Sequence, residues 1–112
     1  MGIQNNKLGV IMAKWADYLI SAVKYDSDHE KIISVKTHED KGDTVGDSYI
    51  EIRSKVVSNI ENGYSYCTIL KTNDKKWKKG EDIHIVKIDD EKFIRTDRNE
   101  TKKDNLGNLP EF

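Results

Sequence analysis

A cluster of lysines around one tryptophan is the part of this sequence best suited to contact a charged partner. The cluster consists of Lys71, Lys75, Lys76, Trp77, Lys78 and Lys79. An indole ring can stack on a nucleic-acid base while ammonium groups contact phosphates, and such stacking is worth about 1–3 kcal/mol per base. The same composition is typical of a solvated loop whose tryptophan covers one end of a barrel. Since Asp74, Glu81 and Asp82 flank the cluster, we favour the loop and keep nucleic-acid binding as the alternative.

A second candidate group near the C-terminus combines two guanidinium groups with carboxylates and amides. Its members are Arg95, Asp97, Arg98, Asn99, Asp104 and Asn105. Two guanidinium groups can hold a carboxylate or phosphate through paired hydrogen bonds, which would make an anion or peptide-end site. The structural alternative is a latch in which Arg95 pairs with an acid such as Asp104 and Asn105 supports a turn. We favour the latch.

The acidic residues and histidines do not form a metal-binding pattern. Asp26, Asp28 and Glu30 are spaced like the first ligands of a calcium loop, but Lys31 stands where that loop needs glycine. The chain has three histidines, His29, His38 and His84, and they fall on different predicted elements without paired spacing. The sequence therefore predicts no metal site and no cofactor.

Catalytic motifs are also absent. Cys67, the one cysteine, lies between Tyr66 and Thr68 in an apolar segment, where a small buried hydrophobic residue is the usual role. The chain has no nucleophile elbow, no glycine-rich phosphate loop and no carboxylate pair of recognisable spacing. We therefore expect a protein that is not an enzyme.

Length and composition limit the class of protein. With 112 residues, 36% hydrophobic and 35% charged, the chain is expected to form one domain with a small core. A net charge of -1 argues against binding nucleic acid or membranes by bulk electrostatics. One cysteine cannot form an internal disulfide, and the apolar run from Leu8 to Met12 is far shorter than the ~20 residues that span a bilayer. We expect a cytoplasmic protein without a membrane segment.

The first half of the chain predicts a hairpin and a loop. Residues 1–14 are interpreted as an N-terminal extension, with Leu8, Ile11, Met12 and Trp15 at helical spacing, and residues 15–112 as a single β-rich domain. Tyr18 to Tyr25 alternates as a strand does, and Lys31 to His38 is predicted to pair with it antiparallel. A flexible acidic loop, residues 39–47, follows.

The second half predicts one helix and three more strands. Ile50 to Ile52 is either a short strand or the lead into a helix that runs from an N-cap at Ser54 to Gly63. Residues 64–71 form a strand, residues 72–80 a loop, and residues 83–88 and 92–96 a hairpin around Asp89-Asp90. The order β-β-α-β-β-β predicts a mainly β (α+β) fold. We expect a small, strongly curled antiparallel sheet or a partly open SH3-like barrel with one short helix.

The C-terminus is predicted to be a docked arm. Leu106, Leu109 and Phe112 give it apolar side chains to bury, and Pro110 stiffens it. Polar chain ends usually fray, so these residues indicate that the arm packs on the barrel.

These motifs resemble a known family. The chain carries Arg53-Ser54 with Val56-Val57, Ile60-Glu61-Asn62-Gly63, Gly80-Glu81-Asp82-Ile83, Phe93-Ile94-Arg95-Thr96 and Asp104-Asn105-Leu106-Gly107-Asn108-Leu109-Pro110. In these it is similar to DUF3892, a family of small bacterial proteins of unknown function, from about residue 17 to the end. The resemblance implies a compact domain and no catalytic residues. It also implies that the C-terminal motifs matter, either for folding or for binding.

From these observations we expect a binding module. A protein partner is the first choice, held at a sheet edge or in a groove near the helix and the C-terminal arm. The alternative is nucleic-acid binding through the Lys-Trp loop, residues 71–79. The sequence leaves the oligomeric state and the partner's identity open.

Overall fold

The computed structural model describes residues 14–112 and shows seven strands and one helix in that range. In chain order these are β1 (Tyr18–Tyr25), β2 (Ile32–Glu39), β3 (Tyr49–Ile52), α1 (Arg53–Glu61), β4 (Tyr66–Lys71), β5 (Trp77–Asp82), β6 (His84–Ile88) and β7 (Glu91–Arg95). The predicted extension and its helical spacing lie, apart from Lys14 and Trp15, outside the described residues. The mainly β class with one short helix is confirmed.

Five strands form one open sheet in the order β3-β2-β1-β4-β5, and β6 pairs with β7 separately. The sheet is mixed, because β1 and β4 run parallel with Tyr18 opposite Tyr66. The prediction of a purely antiparallel sheet is therefore wrong. Its physical reason is α1, which carries the chain from the edge strand β3 across the sheet to β4. The sheet keeps two separate edges, so a curled or partly closed barrel is not confirmed.

The hairpin between β1 and β2 is confirmed, with Val23 opposite Val35. Its turn explains the acidic residues that precede β2. The Asp26 carboxylate accepts hydrogen bonds from the backbone N–H groups of Glu30 and Lys31 at 2.9 and 3.3 Å. This bonding is typical of a turn in which a side-chain oxygen closes the backbone loop.

The N-cap of the helix lies two residues earlier than predicted. Ile52 is the N-cap of α1, and no side chain caps the helix. The predicted N-cap at Ser54 is therefore wrong. The reason is that β3 runs directly into α1, so the backbone becomes helical at Arg53. At the other end Gly63 has a φ of 98°, the left-handed conformation predicted to close the helix.

Half of the predicted Lys-Trp loop is a strand. Only residues 72–76 form a turn, and Trp77, Lys78 and Lys79 belong to β5, which pairs antiparallel with β4. The loop prediction is wrong for residues 77–80. The sequence did not indicate this strand because most of its residues are polar. They are polar because the strand lies at the edge of the sheet, where few side chains are buried. Gly80 fits there because a β-carbon would collide with the Thr68 hydroxyl.

The second hairpin and the core follow the prediction more closely. Asp89 and Asp90 form its turn with φ values of 50° and 68°, as a two-residue hairpin turn requires. The main core lies between the sheet, α1 and this hairpin. It contains Ile20, Val23, Ile32, Val35, Val56, Val57, Tyr66, Ile83, Ile94, Leu106 and Leu109. A smaller cluster on the other face of the sheet contains Ala16, Leu19, Cys67 and Ile69. In residues 14–112 no helix is both long and apolar enough to cross a bilayer.

The C-terminal arm, residues 97–112, packs against the domain. Leu106 and Leu109 are buried in the main core. The Pro110 carbonyl accepts a hydrogen bond from the Val23 N–H at 2.9 Å, and the Phe112 N–H donates to the Val23 carbonyl at 3.0 Å. The end of the arm thus runs beside β1. Phe112 departs from the expectation that it is buried, since 40% of it is exposed.

Asp104 ties the arm to three other elements. Its carboxylate accepts hydrogen bonds from the backbone N–H groups of Ile32 and Ile94, each at 2.8 Å. The guanidinium of Arg53 donates to both oxygens at 2.7 and 3.0 Å. The Asp104 side chain is completely buried. One carboxylate therefore connects the start of β2, the first residue of α1 and β7.

The substitution Asp104→Asn tests this connection. It keeps the side-chain volume but removes the charge and one strong acceptor, which leaves the Arg53 guanidinium without its counter-ion. Because breaking a buried ion pair typically costs about 3–5 kcal/mol, we expect a loss of that order in the free energy of unfolding. Urea denaturation measures it. The control Asp89→Asn removes an exposed pairing with Lys102 and should change stability little. Equal stability of the two variants would contradict the role given to Asp104.

Candidate functional site

The two edges of the five-stranded sheet differ in chemistry. The edge strand β5 carries Lys78, Lys79, Glu81 and Asp82, all exposed. Charged side chains of this kind protect an edge from pairing with another chain. The opposite edge strand, β3, has the sequence Tyr-Ile-Glu-Ile and neither lysine nor proline. The strand β3 therefore lacks the exposed charged side chains that protect β5.

Exposed apolar side chains line the β3 edge. Ile50 and Ile52 are 57% and 60% exposed, and Tyr49 is 42% exposed. Ile50 pairs with Lys36 of β2 and Ile52 with Ser34, so the two isoleucines share one face of the sheet. Tyr49 and Glu51 lie on the other face, toward α1. In residues 14–112 the outer side of β3 has no neighbouring strand.

Glu51 is a buried carboxylate on this edge strand. The residue is 8% exposed. Its oxygen Oε1 accepts hydrogen bonds from the Tyr66 hydroxyl at 2.8 Å and the Thr37 hydroxyl at 2.9 Å. Within residues 14–112 its other oxygen, Oε2, accepts no hydrogen bond and no lysine, arginine or histidine pairs with it. Burying a carboxylate without a cation is costly, so this arrangement is unusual.

Three tyrosines, Tyr18, Tyr49 and Tyr66, lie near Glu51, and a fourth, Tyr64, packs against Tyr18. We call these four residues the tyrosine cluster. The Tyr18 ring packs against Tyr64 and Tyr66 with centroid distances of 5.8 and 5.2 Å. Asn59 of α1 donates a hydrogen bond to the Tyr66 hydroxyl at 2.9 Å, which fixes that ring over the sheet. Tyr49 and Tyr64 are partly exposed. The cluster thus has a fixed interior and an accessible outer side.

The electrostatic potential at the tyrosine cluster is negative. Partial burial, reinforced by the nearby Glu51 and Glu39 carboxylates, raises the pKa of Tyr49 to about 12. Burial also raises the pKa of Tyr66, and the hydrogen bond to Glu51 adds to this shift. Both hydroxyls are therefore protonated at neutral pH, and Tyr66 acts as a donor to Glu51.

The Lys-Trp residues do not form an open stacking surface. The ammonium group of Lys71 lies 4.0 Å from the centre of the Trp77 ring and occupies one of its faces. The His38 ring packs edge-on against the same indole, 5.4 Å away. Lys79 pairs with Asp82 at 3.0 Å, while Lys75, Lys76 and Lys78 are exposed. Trp77 thus serves mainly to cover the smaller core cluster.

The predicted C-terminal group is only partly brought together. Arg95 is 4% exposed and pairs with Asp97 at 2.7 Å, and it also donates to the Lys103 carbonyl. Arg95 thus pairs with an acid, as the latch predicts, but the acid is Asp97. The example given, Asp104, is held instead by Arg53 and by two backbone N–H groups. The Asp97–Arg95 contact lowers the pKa of Asp97.

The other members of the group lie at the surface or in turns. Arg98 is exposed and lies 3.4 Å from a ring nitrogen of His84. Asn99 donates to Asp97, and the Asn105 side chain accepts a hydrogen bond from the Gly107 N–H at 2.8 Å. The two guanidiniums therefore have different surroundings, one buried and paired and one at the surface.

Two cavities lie away from β3. One of about 400 Å³ is lined by Trp15, Asp40, Gly42, Asp43, Thr44, Val45, Lys76 and Trp77. The other, of about 330 Å³, lies between α1 and the second hairpin, the predicted groove beside the helix. Three of its charged side chains are engaged in ion pairs, Arg53 with Asp104 and Lys92 with Glu61. Residues 14–112 contain no group of three potential metal ligands.

The sequence analysis missed the most distinctive site residues, Tyr49 and Glu51. The sequence did contain a strand signal, because side chains from Tyr49 to Ile52 would alternate between the two faces of a sheet. The segment was too short to separate a strand from the lead into a helix. Nothing in the sequence indicated that Glu51 would be buried, because that depends on Tyr66 folding back over the sheet.

With the fold and its edge defined, the chain is an open mixed sheet covered on one face by a helix and a hairpin. The family model described as "Protein of unknown function (DUF3892)" matches residues 19–110, and the chain belongs to this family. No curated protein and no solved structure matches the chain.

Cys67 is expected to be unreactive in the folded protein. The side chain is buried, and burial raises the pKa of its thiol to about 11. Since the thiolate is the reactive form, only a very small fraction reacts at pH 8. Labelling with a disulfide reagent at pH 8 should be slow in buffer and rapid in concentrated urea. Rapid stoichiometric labelling of the folded chain would contradict this placement.

Proposed function

We propose that the protein is a non-enzymatic binding module that takes an extended segment of a partner protein as an additional strand beside β3. The observation that supports this most is the contrast between the sheet edges. β5 carries the charges that protect an edge, whereas β3 presents Tyr49, Ile50 and Ile52 to solvent. Main-chain hydrogen bonds would supply affinity, and alternate side chains would supply specificity.

The position of β3 in the fold supports this proposal. Four of its residues pair with β2, from Tyr49 opposite Thr37 to Ile52 opposite Ser34. Its C-terminal end continues into α1, whose first residue, Arg53, is held by Asp104. An edge strand fixed in this way is ordered before a partner arrives, so less conformational entropy is lost on binding.

Nucleic-acid binding by the Lys-Trp residues is the second candidate and has less support. The exposed ammonium groups of Lys75, Lys76 and Lys78 favour it. Against it, Lys71 occupies one face of Trp77, and base stacking requires a free ring face. Salt dependence separates the two functions, because phosphate contacts weaken steeply as salt rises.

Peptide selection tests strand addition directly. Random peptides of about nine residues, the length of a long strand, are selected on the full chain. The binders are then titrated into labelled protein and followed by NMR. We expect the largest amide shifts in residues 49–52. The variant Ile50→Lys should weaken binding by at least about tenfold, because a lysine at an edge opposes pairing.

The matched control is Glu81→Lys, which places the same side chain on the protected edge β5. Both positions are exposed, so both variants should fold. The control should bind the selected peptides as the wild type does. Binders that shift amides elsewhere, or that bind Ile50→Lys with unchanged affinity, would overturn the proposed function.

A further inference from the structure

Three carboxylates among residues 14–112 are buried, those of Asp40, Glu51 and Asp104. Both oxygens of Asp40 accept hydrogen bonds from backbone N–H groups. Asp104 has a guanidinium, that of Arg53, and two backbone N–H donors. Glu51 has only hydroxyl donors, both on one oxygen, and no cation within residues 14–112. Among these three carboxylates, Glu51 is therefore the one with an oxygen, Oε2, that accepts no hydrogen bond within residues 14–112. A buried carboxylate oxygen favours a hydrogen-bond donor or a cation.

Glu51 also lies where an incoming strand would place a side chain. Its neighbour on β2 is Val35, which leaves the opposite side of Glu51 facing the free edge. In a paired strand the residue directly opposite has its Cβ atom about 4.5–5.5 Å away and points to the same face. A lysine or arginine there is long enough to reach the Glu51 carboxylate.

The tyrosine cluster would stabilise the same cation. The outer ring, Tyr49, is two residues from Glu51 and shares its face of the sheet. A cation above a tyrosine ring is attracted by the π-electrons, especially where water is partly excluded. The carboxylates of Glu39 and Glu51 both act on Tyr49, so the local potential favours positive charge.

The cations on neighbouring elements are placed elsewhere. Lys36 pairs with Ile50 and lies on the opposite face, with its ammonium group 5.1 Å from the centre of the Phe112 ring. Arg53, next to the end of β3, is bound by Asp104 and by the Lys92 carbonyl. Neither side chain neutralises Glu51.

We propose that Glu51 and Tyr49 form a receptor for one arginine or lysine side chain, carried by the extended segment of a partner protein that pairs with β3. This inference rests on the proposed function and specifies its partner. The partner strand carries a basic residue opposite Glu51 and apolar residues at the adjacent positions, whose side chains pack on Ile50 and Ile52 on the other face.

Selected peptides test the inference with a change of one side chain. A binder from the random library is prepared with arginine and with citrulline, its neutral analogue of the same shape, at its basic position. The wild-type protein should prefer the arginine peptide by at least about tenfold, as for a desolvated charge pair. Glu51→Gln should abolish that preference and leave citrulline binding unchanged. The glutamine carbonyl can still accept the hydrogen bonds from Tyr66 and Thr37.

Two further variants complete the design. Glu81→Gln, on the protected edge, removes a carboxylate far from β3 and should keep the preference for arginine. Tyr49→Leu removes the partly exposed ring and should reduce the preference several-fold, which tests the site independently if Glu51→Gln fails to fold. Amide spectra confirm that each variant is folded.

The outcomes separate the two proposals. Peptides that shift the amides of β3 but bind equally well with arginine and citrulline would overturn the cation receptor and leave strand addition standing. Peptides that never shift those amides would overturn both. A chain that dimerises through β3, shown by sedimentation and abolished by Ile50→Lys, would also overturn the proposed partner, because the occupant would be a second copy.

Discussion

The fold depends on the buried carboxylate of Asp104. It accepts hydrogen bonds from the backbone of β2 and β7 and holds the guanidinium of Arg53 at the start of α1. These elements are far apart in the sequence. The packing between the sheet, α1 and the second hairpin is mainly apolar, and apolar contacts are not directional. A buried carboxylate with fixed donors adds direction, because its hydrogen bonds are satisfied in only one arrangement. The arm that carries Asp104 therefore belongs to the framework of the domain.

The same constraint determines the geometry of the candidate site. Arg53 follows β3 directly, so its attachment to Asp104 also fixes the end of the edge strand. At the other end of α1, Asn59 holds the Tyr66 hydroxyl, and Tyr66 donates to Glu51. A chain of polar contacts thus runs from the arm through the helix to the edge. Of the two carboxylates in that chain, Asp104 pairs with a cation and Glu51 pairs with none among residues 14–112.

Patterns of local sequence predicted much of the fold. The alternation of side chains predicted β1 and β2, and the pair Asp89-Asp90 predicted the turn of the second hairpin. The apolar spacing of Leu106 and Leu109 indicated a docked arm, and both side chains are buried. These features depend on neighbouring residues or on simple burial, which composition and spacing report well.

Features that depend on distant residues were not predictable in the same way. The partner of Asp104 is Arg53 and not Arg95, and nothing in the local sequence distinguishes the two arginines. Strand β5 is polar because it lies at an edge, so its residues resembled a loop. The candidate site at Glu51 likewise arises from tertiary contacts with Thr37 and Tyr66. The sequence predicted a binding module, but the position of the site at the β3 edge and the burial of Glu51 could be recognised only from the three-dimensional structure.

Hydrogen exchange of individual amides, measured by NMR, tests the central claim most directly. If Asp104 holds the framework together, the amides of Ile32 and Ile94 exchange only through global unfolding, with a free energy equal to that from denaturation. The outward-facing amides of β3 exchange much faster, because no strand covers them. Fast exchange at Ile32 and Ile94, at a rate similar to that of the acidic loop of residues 40–47, would contradict the account.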